Sequence, residues 1–232
     1  VVPFAKTGGL ADVSGALPIE FTRLEHSVKV FMPKYYSIDE NRFNLKRESL
    51  ISAFPVRVAN KNHNVKVFKG LLDDSKTEIY FIDYPPFFHR HSLYTDDIDE
   101  DERFMLFSKA VIELIQRLSW LPDIMHLNDW QTGLIPLLIK DNYSWDKRLS
   151  KISTVYTIHN IAYQGSFSKA TLAKAELNSK HFDAPGEIEH EGKVNFMKAA
   201  ISFSDVITTV SEQYAKELQT PEFSFGMDTV LN

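Results

Sequence analysis

The order of apolar and polar positions alternates between strand-like and helix-like patterns along the first half of the chain. Three short runs, "SVKVFMP", "HNVKVFKG" and "EIYFIDYP", are rich in β-branched and aromatic residues and are bounded by Pro, Gly or Asn, which predicts strands. The opening "VVPF" has the composition of a strand end. Apolar residues then recur at the spacing of a helix, at Leu10, Val13, Leu17, Phe21 and Leu24.

The second half continues the same alternation. A long amphipathic helix is predicted between Asp101 and Trp120, because one side of it is apolar. Its apolar positions are Phe104, Phe107, Val111, Leu114, Ile115 and Leu118. "DIMHLND" and "STVYTIHN" predict short apolar strands, "VNFMKAAISFS" a helix and "DVITTVS" a buried strand, after which Ser211 is placed to cap the helix "EQYAKELQ". The alternation predicts an α/β fold of three layers, a Rossmann-like domain with a mainly parallel sheet.

In such folds ligands bind beyond the carboxyl ends of the strands, so polar residues at those positions are site candidates. The stretch "KTGGLADVSGALP" places Gly8 and Gly9 just before a helix, where backbone amides and the helix dipole favour an anion, and Lys6 adds a full charge. A diphosphate suits this arrangement, although it matches neither the P-loop nor the dinucleotide fingerprint. A tight turn with a solvated lysine explains the same residues equally well.

"HLNDWQTG" follows a predicted strand, and its aspartate and tryptophan are the candidates. Asp129 would leave the strand end where a carboxylate can accept hydrogen bonds from sugar hydroxyls, and Trp130 could offer a stacking face. The alternative makes Asp129 a helix N-cap and Trp130 a core residue, and the residues alone favour that alternative.

"TIHNIAYQG" repeats the pattern at another strand end, with His159 and Asn160 after an apolar run. A lone histidine at such a position is more often structural than catalytic. Neighbouring parallel strands end close together, however, so three strand ends with polar groups, that before Lys6 included, favour a shared site.

Composition and charge exclude some classes of protein. The 232 residues are 44% hydrophobic, enough for a core, and the net charge of −5 argues against a nucleic-acid-binding domain. The absence of cysteine excludes disulfides and thiolate metal sites, and no apolar run reaches the ~18 residues of a membrane span.

A metal site is the weakest candidate. His89 and His91 lie near several acidic residues, but the segment predicts an exposed loop that leads into an acidic helix start, so we expect no metal. The acidic residues are Asp96, Asp97, Asp99, Glu100 and Asp101. No Ser-His-Asp constellation can be argued either.

Taken together, the motifs resemble those of the bacterial glycogen synthases and plant starch synthases. The resemblance rests on "KTGGLADV" and "GALP" near the start, His126 with "NDW" at 128–130, "HNIAYQG" at 159–165, "NFMKA" at 195–199, "VS" with "YA" at 210–215, and the ending "FSFGMDTVLN". It covers the whole chain in the family's order. Asn128 stands where many members have His, and Met227 where Leu is frequent.

The resemblance implies a GT-B fold, in which two Rossmann-like domains face a cleft. Residues 1–232 would be the N-terminal domain with its first strand truncated, and the C-terminal nucleotide-binding domain would be absent. The implied enzyme is a retaining glucosyltransferase that moves glucose from ADP-glucose to the non-reducing end of an α-1,4-glucan, without a cofactor or metal. It would be cytoplasmic, or plastidic in a plant, with no nucleic-acid or membrane partner, and this chain alone would be inactive.

The resemblance also implies roles for individual residues. Lys6, Gly8 and Gly9 would face the diphosphate and the donor glucose, and Asp12 would support their loop. Asp129 and His159 would be the catalytic pair, with Asp129 and Asn160 holding hydroxyls of the transferred sugar and His159 near the reacting carbon. Trp130 would shape the sugar site, while Tyr94 and Asn195 would contact the acceptor or support residues that do.

Two other functions remain compatible with parts of the pattern. A non-catalytic glucan-binding or regulatory relative would keep the fold without the activity. A dinucleotide-dependent oxidoreductase lacks its spaced-glycine fingerprint and is disfavoured. The residues present do not distinguish ADP-glucose from UDP-glucose, because the absent domain would read the base.

Overall fold

The computed structural model describes residues 1–49, 51, 53–72, 76–183 and 186–232. The chain forms two units of α/β structure, Val1–Arg57 with Lys61–Val111, and Val58–Asn60 with Ile112–Asn232. The prediction of one Rossmann-like domain over residues 1–232 stays a prediction. Within the described residues, no helix combines the length and the apolar character needed to cross a membrane.

The first unit is built on a mixed sheet. Its strands, counted over the described residues, are β1 (Lys29–Pro33), β2 (Lys46–Arg47), β3 (Phe54–Val58), β4 (Lys61–Leu71) and β5 (Glu78–Asp83). The order is β1-β5-β4-β2, with β3 also paired to β4. β3 and the first part of β4 alternate buried and exposed residues, as expected for strands with one covered face.

Strand direction follows from the connections. β1 and β5 are parallel, as the α/β pattern predicts, whereas β4 and β5 are antiparallel. Only residues 72–77 join β4 to β5, which is too short for the crossover that parallel strands require. The three predicted strands of this half are confirmed. The alternation of strand and helix patterns did not predict the antiparallel pairs of this sheet.

The helices of the first half are α1 (Gly9–Arg23), α2 (Pro85–Phe88) and α3 (Glu100–Arg117), which continues into the second unit. α3 confirms the predicted amphipathic helix, since its apolar positions from Phe104 to Ile115 are buried. α1 is also confirmed, but its apolar positions are not the buried ones: Leu24 is 68% exposed, whereas Ala11 and Gly15 are buried.

The prediction of a strand end at "VVPF" is wrong. Residues Val1–Phe4 form a turn, in which the amides of Phe4 and Ala5 both donate to the carbonyl oxygen of Val1, each at 3.0 Å. Pro3 has no amide hydrogen to offer a sheet. The turn packs instead on α1, because the amide of Val2 donates to the carbonyl oxygen of Ala11 at 2.9 Å.

The second unit contains a parallel sheet and a small antiparallel one. In the described part of this unit, β6 (Ile124–Asn128), β7 (Ser153–Ile158) and β11 (Val206–Thr209) form the parallel sheet in the order β11-β7-β6. β8 (Ser166–Phe167), β9 (Glu189–His190) and β10 (Lys193–Asn195) form the antiparallel sheet. All three strands predicted for the parallel sheet are confirmed.

The predicted burial of "DVITTVS" is wrong. β11 lies at the edge of its sheet, and Val206 is 50% exposed. Asp205 fixes the start of this edge strand, because its carboxylate accepts hydrogen bonds from the backbone amide of Thr154 at 2.7 Å and from its hydroxyl at 2.9 Å.

Five helices lie wholly within the described second unit. They are α4 (Ile135–Lys140), α5 (Thr171–Ala175), α6 (Phe196–Phe203), α7 (Glu212–Leu218) and α8 (Asp228–Leu231). The cap predicted at Ser211 is confirmed, since its hydroxyl accepts from the amide of Tyr214 at 3.1 Å. Single 3₁₀ turns lie at Trp130–Thr132, Leu149–Lys151 and Ser179–His181.

Candidate active site

The glycine pair of the first unit lies at the start of α1. Gly8 has extended backbone angles that any residue can adopt (φ −177°, ψ −172°), and a Cβ atom on Gly8 or Gly9 would meet no described atom within 4 Å. Neither backbone geometry nor packing within the chain therefore requires glycine here. Because these two residues have no side chains, a ligand can reach the backbone amides that begin the helix.

Lys6 lies beside this helix start and is paired with Asp12. Their Nζ and Oδ1 atoms are 2.7 Å apart, and Asp12 lies in the first turn of α1. The lysine side chain is 57% exposed, so its charge is oriented by Asp12 but open to solvent. Support of the loop by Asp12 and contact of Lys6 with a diphosphate both stay predictions.

Tyr94 lies in the loop between α2 and α3 of the first unit, where its ring packs against Phe104 with centroids 6.2 Å apart. Arg103, fully buried, holds this loop by donating to the carbonyl oxygens of Phe87 at 2.7 Å and Leu93 at 3.1 Å. It also forms an ion pair with Glu100. The loop that carries Tyr94 is thus held by a buried cation, while the predicted acceptor contact stays a prediction.

Three of the acidic residues near His89 and His91 are paired with arginines, Asp97 and Asp99 with Arg90 and Glu100 with Arg103. Arg90 forms hydrogen bonds with Asp97 at 2.8 Å and Asp99 at 2.6 Å. Among the residues that the structure describes, no group of three or more His, Asp or Glu side chains could hold a metal ion. Glu100, Asp101 and Glu102 form the acidic first turn of α3 that the sequence predicted.

In the second unit, the ends of β6 and β7 bring together Asp129, His159 and Asn160, which we call the strand-end cluster. The amide of Asp129 donates to the carbonyl oxygen of Thr157 at 3.1 Å, which continues the β6–β7 ladder. Oδ1 of Asp129 then accepts from the amide of His159 at 2.8 Å and from that of Asn160 at 3.4 Å. The predicted convergence is confirmed for these two strand ends, whereas no strand precedes Lys6 among the described residues.

The alternative role of Asp129 as a helix cap is not observed. Asp129 precedes the 3₁₀ turn Trp130–Thr132, but its side chain makes no capping hydrogen bond. Its backbone has a positive φ of 54°, which is uncommon outside glycine and concentrates at functional sites. This conformation directs the carboxylate toward β7 rather than toward its own helical turn.

The protonation of the cluster is set mainly by burial. Burial raises the pKa of Asp129, with the hydrogen bond from the His159 amide acting in the opposite direction. Burial lowers the pKa of His159, against the attraction of the Asp129 charge. At neutral pH the imidazole is therefore neutral, since its ordinary pKa is about 6.5 before it is lowered.

The contact of His159 with Asn128 favours one tautomer of the ring. Its Nε2 lies 2.9 Å from Oδ1 of Asn128, a carbonyl oxygen that can only accept, so Nε2 carries the proton. Nδ1 of the neutral ring is then an acceptor. Asn128, at the position where the family often has His, thus orients the predicted catalytic histidine.

Asn160 is the exposed member of the strand-end cluster. Its Oδ1 accepts from the amide of Ala162 at 3.0 Å, which forms a local turn and fixes the side chain. This bond uses the oxygen of the side chain and not its Nδ2 donor. Asn160 can therefore donate to a sugar hydroxyl without losing its own support.

Trp130 is a core residue and does not offer an open stacking face. It is 9% exposed, and its ring packs against those of Phe167 and Phe196, with centroids 5.7 Å and 6.3 Å apart. Gly165 lies on this ring so closely that a Cβ atom there would be 2.4 Å from Cε3. The stacking interpretation is corrected: any effect of Trp130 on the sugar site acts through the turn that it supports.

Asn195 is fully buried, with an exposed fraction of 0%. It caps α6 by accepting from the amide of Lys198 at 2.8 Å, and it donates to Gln164 Oε1 at 2.6 Å and to Ser166 Oγ at 3.1 Å. Of the two roles that the resemblance implied, these contacts favour support of neighbouring residues over direct contact with an acceptor.

Two residues that lie in the quoted motifs, but were given no role from sequence, hold the "NIAYQG" segment. The hydroxyl oxygen of Tyr214 accepts from the amide of Ile161 at 3.1 Å, and Gln164 Nε2 donates to the carbonyl oxygen of Phe225 at 3.1 Å. A signal for Tyr214 was present, because the helix "EQYAKELQ" begins just beyond the end of a parallel strand. Neither spacing nor composition indicated the partner of Gln164.

Comparison with known proteins gives a consistent family. The profile of the starch synthase catalytic domain matches residues 1–232. Glycogen synthases from Desulforudis audaxviator (strain MP104C) and Clostridioides difficile (strain 630) are each 43% identical to the chain, over 100% and 99% of its length. These alignments cover 47% and 48% of the two relatives, so the chain spans about half the length of the curated relatives that it matches.

A solved structure shows the same fold. The catalytic domain of starch synthase IV from Arabidopsis thaliana, bound to ADP and acarbose, superposes with a TM-score of 0.90 at 32% sequence identity. The match covers 100% of this chain and 47% of that one.

Proposed function

The chain belongs to the starch synthase catalytic domain family, and on this premise we propose that the full-length protein is a retaining glucosyltransferase that acts in glycogen or starch synthesis. It transfers glucose from a nucleotide sugar to the non-reducing end of an α-1,4-glucan. The observation that carries the proposal is the strand-end cluster, in which a buried carboxyl group, a neutral imidazole and an exposed amide converge through the 2.8 Å bond from the His159 amide to Asp129.

The strand-end cluster is chemically suited to hold a sugar. Sugar hydroxyls both donate and accept hydrogen bonds, and the cluster offers an acceptor in Asp129 and a donor in Asn160. His159 contributes its backbone carbonyl or the free Nδ1 of its ring near the reacting carbon. Because Asp129 is buried and its backbone is fixed by the β6–β7 ladder, its position costs little reorganisation when the sugar arrives.

The other chemical requirement is positive charge for the leaving diphosphate. Negative charge grows on that group in the transition state, and cationic side chains and helix N-termini stabilise it. Lys6 and the open amides of Gly8 and Gly9 supply both kinds of group in the first unit. The remaining contacts to the nucleotide are assigned to the part of the full-length protein that this chain does not contain.

ADP-glucose is the proposed donor, since the solved starch synthase IV is bound to ADP. The proposed acceptor is the end of an α-1,4-glucan, and the proposed location is the cytoplasm, or the plastid in a plant. Tyr94 is the acceptor contact that we propose in the first unit, because its side chain is partly exposed on a loop that buried Arg103 fixes.

A direct assay of the full-length protein tests the proposal. Labelled ADP-glucose and UDP-glucose are supplied in parallel with a glucan primer, and label in the polymer is measured together with the anomeric configuration of the new bond. We expect transfer from ADP-glucose with α-configuration. Glucan binding without transfer from either donor would contradict the proposal and favour a non-catalytic relative.

A further inference from the structure

The turn that carries His159 and Asn160 is held by hydrogen bonds from consecutive amides. Those of His159 and Asn160 donate to Asp129, and that of Ala162 donates to Asn160 Oδ1. The amide of Ile161, in the middle of this run, donates instead to the hydroxyl oxygen of Tyr214 at 3.1 Å. Ile161 is buried, so water cannot readily replace that acceptor.

Tyr214 is itself fixed in the second unit. It lies in the first turn of α7, and its amide donates to the capping hydroxyl of Ser211 at 3.1 Å. α7 follows β11, which pairs in parallel with β7, the strand that ends at the strand-end cluster. The phenol therefore extends from an element that is anchored to the same sheet.

The bond controls one particular peptide group. The amide hydrogen of Ile161 and the carbonyl oxygen of Asn160 belong to one planar unit, so fixing one end fixes the other. The carbonyl oxygen of Asn160 accepts from the amide of Tyr163 at 3.3 Å. Tyr214 therefore fixes the N–H end of this peptide group, and the amide of Tyr163 fixes its C=O end. The side chain of Asn160 is attached to the Cα atom of the same peptide group.

We propose that Tyr214 is a positioning residue for glucosyl transfer. Its hydroxyl sets the orientation of the Asn160–Ile161 peptide and thereby the placement of Asn160 and His159 against the transferred sugar. This inference rests on the proposed function. Its consequence is that loss of the hydroxyl slows turnover more than it weakens substrate binding or folding.

The experiment compares Tyr214→Phe with Tyr143→Phe in the full-length protein. Both substitutions remove one phenol oxygen in the second unit, and that of Tyr143 donates to Glu113 Oε1 at 3.3 Å, away from the strand-end cluster. For Tyr214→Phe we expect kcat to fall about tenfold, the effect of losing one hydrogen bond to a buried group. KM for ADP-glucose and for glucan should change less than about twofold, and Tyr143→Phe should keep wild-type kcat.

Amide hydrogen exchange gives a second readout that does not depend on activity. Peptides covering residues 159–165 should exchange faster in Tyr214→Phe and at the wild-type rate in Tyr143→Phe. Unchanged exchange would overturn the inference even if the wild type transfers no glucose, a result that would separately contradict the proposed function. Faster exchange or a lower Tm with wild-type kcat would also overturn it, because Tyr214 would then be structural only.

Discussion

At the scale of single residues, burial and local hydrogen bonds decide what the strand-end cluster can do. Asp129 accepts two backbone amides with one oxygen, and His159 is oriented by Asn128. The sequence placed these residues at strand ends, because each follows a short apolar run. It could not show that Asp129 turns away from its own helical turn, since that depends on a positive φ.

We predict that His159 makes the protein sensitive to mild acid. Burial lowers the pKa of His159, so the unfolded chain binds more protons than the folded one as pH falls through about 6.5. The free energy of unfolding should therefore decrease on acidification, by at most about 1.4 kcal/mol per pH unit for one group. Urea denaturation between pH 7.5 and 5.5 measures this slope.

The variant His159→Gln should flatten that slope, because glutamine keeps an amide that can donate to Asn128 but does not titrate. The raised pKa of Asp129 makes the free energy of unfolding increase on acidification, opposite to the effect of His159. The contribution of His159 is therefore the difference between the slopes of the wild type and the variant. Equal slopes of the free energy of unfolding against pH in the two proteins would show that His159 does not contribute to the acid sensitivity.

A second prediction at this scale concerns Lys6. The variant Lys6→Gln should lower kcat/KM for the nucleotide sugar by roughly 10²-fold, since it removes a charge that stabilises the leaving diphosphate. Lys61→Gln is the matched control, as Lys61 is exposed on β4 of the same unit. Steady-state kinetics at varied donor concentration measure kcat/KM for each variant. Equal kcat/KM in Lys6→Gln and Lys61→Gln would mean that Lys6 is a solvated lysine in a tight turn.

At the scale of elements, tertiary packing explains where sequence patterns succeeded and failed. α3 was predictable from the periodicity of its one apolar face, and the strands of the parallel sheet from their short apolar runs. The exposure of β11 was not, since an edge strand and a central strand can share an apolar composition. Ser211 caps its helix as predicted, whereas Asp129, in a similar position, bonds to the neighbouring strand.

The contact of Gly165 with Trp130 gives a prediction at this scale. Gly165 has φ +62°, and a Cβ atom there would be 2.4 Å from the indole ring. Gly165→Ala should therefore combine backbone strain of about 1–2 kcal/mol with a steric clash, and displace the turn. Gly192→Ala is the control, because Gly192 has φ +76° but no described atom within 4 Å of the added Cβ.

Urea denaturation of both glycine variants separates the two effects. In Gly192→Ala the free energy of unfolding should decrease only by the backbone strain, and in Gly165→Ala it should decrease by at least about 1 kcal/mol more. Similar losses in the two variants would mean that the turn moves off Trp130 at little cost.

At the scale of the whole molecule, the chain represents about half of the relatives it matches. We predict that residues 1–232 alone transfer no glucose, because a leaving diphosphate needs groups on more than one side of it for positioning and charge. Circular dichroism establishes whether the isolated chain is folded, and the labelled-glucose assay measures its activity. Turnover near that of the full-length protein would place all the catalytic groups within these residues.

The limits of prediction at this scale also have a physical cause. The family motifs identified the strand-end cluster, since each motif is local in sequence. The partners Tyr214 and Gln164 act over 53 and 61 residues of separation, and no local pattern encodes such distances.

The most direct test of the account compares Asp129→Asn with Asp205→Asn in the full-length protein. Both carboxylates accept backbone amides in the second unit, but Asp205 bonds to Thr154 at the opposite ends of the strands. We predict that Asp129→Asn lowers kcat at least about 10²-fold, since it replaces the negative charge and one acceptor oxygen at the sugar by an NH2 group. Tm should stay nearly unchanged, because Asn keeps the Oδ1 atom that accepts the backbone amides. Asp205→Asn should lower Tm and keep wild-type kcat. Wild-type turnover in folded Asp129→Asn would contradict the assignment of the strand-end cluster as the sugar site.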